Sequence, residues 1–229
     1  MGNGTAEGRS VSHFQHAILF MIGEINDENY VDYTLARKST DLCFESRRYT
    51  LYTIPMAFLT PEHLVRELYL KPGDRVADIG CGAGAYTIAL AEEVGAMGQV
   101  YAVDVHREAL HTLAGTLDKR GIINVEMLWA DVEKQISIDA YSLDAIVLSN
   151  ILFQLENIDK ALSLISKLIK PEGQLLVVDW SDSHGGVGPH PSHVVQEEHA
   201  ISLVQAHGFR MLRRLPAGDY HYAFLAISS

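Results

Sequence analysis

Asp78 stands two residues before a cluster of glycines, in the run VADIGCGAGAYTIAL spanning residues 76–90. A carboxylate inside so apolar a run is costly unless something pairs with it. Gly80, Gly82 and Gly84 follow. They permit a tight turn and a close approach of backbone to ligand, with amides and a helix N-terminus turned toward a negative group. Polar residues recur at matching places in later runs: Asp104 near the end of QVYAVDV, Asp131 after VEMLWA, Ser149-Asn150 ending LDAIVLSN, and Asp179 near the end of QLLVVDW. The chemistry this suggests is recognition of a ligand with both anionic and cationic groups.

The elements that must position these residues alternate with short connections. Strands are expected at 75–80, 99–105, 125–130, 143–150 and 174–180, and helical patterns at 85–94, 107–120 and 156–169. Near-continuous apolar strands separated by helices indicate a parallel sheet covered on both faces, an α/β doubly wound fold. Ligands sit outside the carboxyl ends of such strands, where strand order reverses. Upstream, Thr60-Pro61-Glu62 reads as a helix start running to about Leu70 and ending at the turn 71–74. After Trp180 a Gly/His/Pro loop (181–193) leads to a helix near 194–207. Strands 209–215 and 221–228 follow, joined by a turn short enough to favour an antiparallel hairpin. Residues 1–11 are small and polar and read as disordered.

Electrostatics separates two ligands. Gly80, Gly82 and Ala85 satisfy the dinucleotide spacing, and Asp104 lies at a plausible distance for a ribose acid. A pyrophosphate at this loop would be repelled by Asp78, which disfavours an NAD-dependent oxidoreductase. S-adenosylmethionine carries a carboxylate for the loop amides, an ammonium for Asp78, two ribose hydroxyls for Asp104 and an adenine amino group for Asp131. Val105 and Leu128 are apolar candidates to flank the adenine ring.

DIGCGAGAYT, with VDV at the second strand, WAD after the third and the run from LDAIVLSN to KPEGQLLVVDW, resembles the class I S-adenosylmethionine-dependent methyltransferases. The likeness is greatest to the branch containing the ubiquinone/menaquinone-biosynthesis C-methyltransferases, and it covers roughly residues 60–229. It implies a seven-stranded, mostly parallel sheet of order 3-2-1-4-5-7-6 with the last strand antiparallel. It also implies that Asp78, Gly80, Gly82 and Gly84 hold the methionine part, Asp104 the ribose and Asp131 the adenine, with Asn150 near the methyl group. Residues 1–59 would form an N-terminal helical cap and substrate lid, and residues 60–229 the cofactor-binding domain.

The expected activity is methyl transfer to a small, partly apolar acceptor. Tyrosines at 30, 33, 49 and 52 and the segment Ile151–Phe153 motivate the apolar character. The Asn/Asp-Pro-Pro-aromatic motif of many nitrogen methyltransferases is absent after Asn150. Asp179, His184 and His190 are candidates to face the acceptor or move a proton. Each has a plainer alternative, a structural cap for Asp179 and an exposed loop for the histidines, whose spacing matches no strong metal pattern.

The 229 residues carry a formal net charge of −11. That field repels nucleic acid unless Arg47-Arg48 or Arg213-Arg214 supplies a local patch. An RNA or protein methyltransferase and a non-catalytic cofactor-binding module are the competing functions. Two cysteines, Cys43 and Cys81, imply no disulfide framework and a cytoplasmic setting. The apolar run 17–22 is too short to span a bilayer, so no stable membrane insertion is expected. Oligomeric state is left open.

Overall fold

The computed structural model describes residues 60–229, together with two short strands, β1 (Gly23–Ile25) and β2 (Val31–Tyr33), which pair antiparallel. The chain divides into two compact units, Met1–Tyr52 and Thr53–Ser229. The expectations of a disordered start and a helical cap, the tyrosines at 30, 49 and 52, and Arg47-Arg48 fall outside the described residues.

The second unit is built on one seven-stranded sheet: β3 (Arg75–Ile79), β4 (Gln99–Asp104), β5 (Val125–Trp129), β6 (Leu143–Ser149), β7 (Ile169–Trp180), β8 (Phe209–Leu215) and β9 (His221–Ser228). Its order is β5-β4-β3-β6-β7-β9-β8. Counted from β3, that is 3-2-1-4-5-7-6. β9 runs antiparallel to both β7 and β8, and the remaining neighbours are parallel. Strand order reverses between β3 and β6, which opens the ligand crevice there.

Among the described residues five helices cover the sheet: α1 (Pro61–Arg66), α2 (Ala85–Val94), α3 (Arg107–Arg120), α4 (Ile158–Leu168) and α5 (Glu197–Ala206). Local chemistry sets their ends. Asn157 caps α4 by accepting from the Lys160 amide at 2.9 Å, and Gly121 closes α3 in the left-handed region at φ 66°. Alternating strand residues feed two apolar layers. Ala77, Ile79, Val103, Ile146, Leu148, Leu175 and Val177 pack with α4 and α5. Val76, Val100, Val147, Leu176 and Val178 face the other way, with α1 and α2.

Three boundaries differ from the sequence expectation. α1 stops at Arg66 rather than Leu70, because Tyr69 takes a left-handed φ of 47° just before the Lys71–Asp74 turn. β7 begins at Ile169 rather than Gln174, with Lys-Pro-Glu-Gly inside an irregularity where the register against β6 shifts. A bulge tolerates the missing amide of Pro171. The helix expected at 194–207 begins later, at Glu197, after a 3-10 turn at Pro191–His193.

Candidate functional site

Asp78 is 1% exposed at the end of β3, on the α1–α2 face of the sheet. Its partner in the fold is Thr87, one turn into α2, whose hydroxyl donates to Oδ2 at 2.6 Å. Burial nonetheless pushes the carboxyl pKa up to about 6, with Thr87 opposing the shift and nearby Asp104 adding to it. A buried acid held short of full compensation is suited to a cationic ligand group.

The glycine turn follows directly. Gly84 has φ 92°, and a Cβ there would meet Leu113 Cδ1 at 2.2 Å, so the turn must bring the α2 N-terminus tightly against α3. Gly82, at φ 53°, has open space on its Cβ side. A ligand can therefore approach the backbone there. Cys81, between Gly80 and Gly82, is buried, and burial with the fields of Asp78 and Asp104 raises its thiol pKa far above the usual range. A thiol held neutral in this way is a small core residue, not a nucleophile.

Asp104 ends β4 on the same face as Asp78 and is 8% exposed. Its Oδ2 accepts from the Gly82 amide at 2.9 Å, which ties the second strand end to the glycine turn. Its Oδ1 accepts from the His106 amide at 2.8 Å and lies 3.1 Å from His106 Nδ1. Val105 is half-exposed, and its carbonyl accepts from Trp129 Nε1 at 2.8 Å. The Arg107 guanidinium lies 3.7 Å over the Trp129 ring. Leu128 instead turns to the opposite layer, packed on the core beside α4. Asp131 lies just past β5, paired with Lys134 at 2.8 Å and accepting from the Glu133 amide at 2.9 Å. These bonds lower its pKa.

Across the strand-order reversal, Asn150 follows β6 with a left-handed φ of 53°. Its amide donates to Val178 O at 2.8 Å, and its side-chain Oδ1 is buried with no hydrogen-bond partner among the described residues. A buried acceptor left unsatisfied asks for a donor that the described residues do not supply. Tyr86, in the first turn of α2, faces Ser149, and burial outweighs that contact to raise its phenol pKa. An orphaned acceptor, an uncompensated buried carboxylate and a glycine turn open on one side together fit S-adenosylmethionine at this edge.

Asp179 lies at the same edge but on the other face of the sheet. It is 1% exposed, and its two oxygens accept from the Leu152 amide at 2.9 Å and the Trp180 amide at 2.8 Å. The amides of Ile151 and Phe153 also act on it, yet burial still pushes its pKa up to about 6. Asp179 thus anchors the turn carrying Asn150. That geometry matches the cap alternative.

The loop after β7 separates the histidines. His184 Nε2 lies 3.0 Å from Ser181 Oγ, and its ring meets Tyr220 edge-on at 4.8 Å. Trp180 lies 4.4 Å from the His221 ring. A Cβ at Gly188 would sit 2.7 Å from the same indole. His190, by contrast, is exposed, and its Nδ1 accepts from the Ser192 amide at 3.3 Å within its own turn. Among the described residues no group of three or more His, Cys, Asp or Glu could hold a metal ion.

Sequence reasoning missed Thr87, Tyr86, His106 and Trp129. Their signal was position, each within three residues of a candidate already chosen. Burial lowers the His221 pKa to about 4, with His184 contributing. Arg213 and Arg214 are committed to ion pairs, Arg213 with Glu67 at 2.5 Å and Arg214 with Glu197 at 2.9 Å and with Glu198. No helix among the described residues is long and apolar enough to cross a membrane.

Comparison with known proteins points to the same cofactor class. A methyltransferase domain family matches residues 70–211. A ubiquinone/menaquinone biosynthesis C-methyltransferase, UbiE, of Vibrio campbellii is 35% identical over 112 residues, covering 48% of this chain and 43% of the relative. The chain thus matches less than half the length of that relative. A crystal structure of an S-adenosylmethionine-dependent methyltransferase from Aquifex aeolicus superposes with TM-score 0.69 at 31% identity, over 74% of this chain and 89% of that one. The [4+2]-cyclase SpnF shares the fold at 17% identity and TM-score 0.63, over 73% of this chain and 80% of that one.

Proposed function

Because this chain belongs to the class I S-adenosylmethionine-dependent methyltransferases, we propose that it methylates a small, partly apolar acceptor by in-line displacement. The observation that carries this reading is the turn after β6. Asn150 is held in a left-handed conformation with a buried Oδ1 that has no partner among the described residues, and the apolar Ile151-Leu152-Phe153 follows where nitrogen methyltransferases carry a Pro-Pro-aromatic motif. Asp179 fixes that turn through its backbone amides.

S-adenosylmethionine, when bound, supplies an electrophilic methyl group on a cationic sulfur. Methyl transfer removes that charge, so alignment and exclusion of water supply most of the acceleration. In this reading Asp78 holds the cationic amine, and the Gly80–Gly84 turn presents amides to the carboxylate. Asp104 takes the ribose hydroxyls, Asp131 the adenine amino group, and Val105 covers the ring. Asn150 orients the groups around the methyl. Of the three residues expected to face the acceptor, Asp179 acts by positioning the Asn150 turn. His184 is the better placed histidine, half-buried beside Trp180 and Tyr220, and it contacts the acceptor or takes its proton. His190 caps its own exposed turn.

The test is transfer of labelled methyl from S-adenosylmethionine to a panel of quinols, phenols, an RNA and a protein extract. Product on the apolar small molecules supports the proposal. Label in RNA or protein alone would replace it, and cofactor binding without turnover on any acceptor would favour a binding module. The ion pairing of Arg213 and Arg214 weighs against RNA, because it leaves little unneutralised charge at that patch.

A further inference from the structure

Asp104 is more fully engaged than a free ribose acceptor should be. An ionised carboxylate offers about four lone-pair sites. Gly82 N–H occupies one on Oδ2, His106 N–H occupies one on Oδ1, and the His106 ring faces the other site on Oδ1 at 3.1 Å. Two ribose hydroxyls need two sites, so one present partner must leave. The two backbone donors are fixed, one in the glycine turn and the other at the start of α3. The imidazole is the partner that can move, since its side chain is 68% exposed.

We infer that the His106 ring is a proton-controlled competitor for the ribose site, so that protonation of His106 weakens cofactor binding. This rests on the reading of Asp104 as the ribose residue. A protonated imidazole always presents an N–H at Nδ1 and holds Oδ1 as an ion pair. A neutral ring protonated at Nε2 instead turns a lone pair toward the carboxylate and is expelled. Among the described residues the charged group recorded against the ring is Asp104 on β4, with Asp78 on β3 acting through Asp104; Arg107 and Glu108 follow His106 in the first turn of α3, and Arg107 is held over Trp129 of β5. Asp78, with a pKa of about 6, adds its own pH dependence to cofactor binding. That contribution is common to wild type and His106 variants and cancels in their ratio.

The experiment is calorimetric titration with S-adenosylhomocysteine of the wild type, His106→Ala and His106→Ser, at about pH 5.5 and about pH 8. Serine is a favoured residue at the N-cap position His106 occupies, which guards against a folding defect. A second readout is Trp129 fluorescence in a Trp180→Phe background, since Trp129 is bonded to Val105 next to the ring. The expected result is equal affinity at the higher pH. At the lower pH both variants bind roughly two- to fivefold more tightly than wild type, the scale of an exposed ion pair. A variant-to-wild-type ratio that does not change with pH would overturn the inference while leaving the cofactor assignment standing. Absence of binding by all three proteins at both pH values would overturn both.

Discussion

Replacing Asp78 by Asn should make the ligand-free protein more stable and a poorer cofactor binder. Asn keeps an acceptor for the Thr87 hydroxyl but removes the buried charge. In the folded protein the Asp78 pKa is raised from the ordinary 3.8 to about 6. The folded state thus binds this proton more tightly than the unfolded chain does. Wild-type stability therefore falls as pH rises from about 4 to about 6, and above that range the full deficit is present. At about 1.4 kcal/mol per pH unit the deficit is up to about 3 kcal/mol. Urea unfolding of the ligand-free proteins near pH 7 should show Asp78→Asn more stable by about 1–3 kcal/mol, and near pH 4 the difference should largely vanish. Asp179, whose pKa is also about 6, imposes a similar slope on both proteins and drops out of the comparison. Titration with S-adenosylhomocysteine should show weaker binding by the variant. A variant less stable than wild type near pH 7, or a difference that is the same at both pH values, would refute the view that Asp78 is a strained charge awaiting a cation.

Asp104→Ala should weaken S-adenosylhomocysteine binding by about 1.5–3 kcal/mol, the usual scale for hydrogen bonds to a charged group; unchanged calorimetric affinity in a folded variant would remove Asp104 from the ribose role. Gly84→Ala should cost about 1–3 kcal/mol in thermal or urea unfolding, since φ is 92° and the new methyl meets Leu113; a neutral change would mean that the turn and α3 adapt freely. The lowered pKa of His221, about 4, predicts that its ring stays neutral down to about pH 5 in an NMR titration. It adds stability that is present above the ordinary histidine range and lost as pH falls toward 4. Titration of this ring near pH 6.5 would show that His221 is not desolvated.

The strands, and helices α2 and α3, were legible because apolar runs, glycine turns and acids recur in a fixed rhythm. The order of the sheet came through resemblance and not through periodicity, because nothing local to a strand says which neighbour it will pair. The strand-end acids show where local reading stops. Asp78, Asp104 and Asp179 look alike in sequence, each near the end of an apolar run. Their faces differ, because side chains alternate along a strand and the absolute face depends on register with the neighbouring strand. Asp78 and Asp104 look toward α1–α3, whereas Asp179 turns to the amides of the Asn150 turn. His190 could not be separated from His184 in sequence for a similar reason. Both sit among glycines and prolines, and only the return of the chain at Tyr220 and His221 encloses one of them.

The placement of β9 bears on how the molecule comes to be made. It is synthesised after β8, yet it lies between β7 and β8 and pairs with both. Until it emerges, β8 has no partner in the sheet, and β7 presents an open backbone edge flanked by Leu175, Leu176, Val177 and Val178, all buried in the finished fold. Such an edge is a template for pairing with another chain. The nascent protein therefore passes through a stage in which five strands are available but cannot be closed off, and the β8–β9 hairpin has to dock as a unit to end it. Long-range pairing of this kind is slow relative to local helix formation. Translation speed and chaperone access across residues 180–228 should accordingly govern the yield of folded protein more than equal changes over the first half of the sheet.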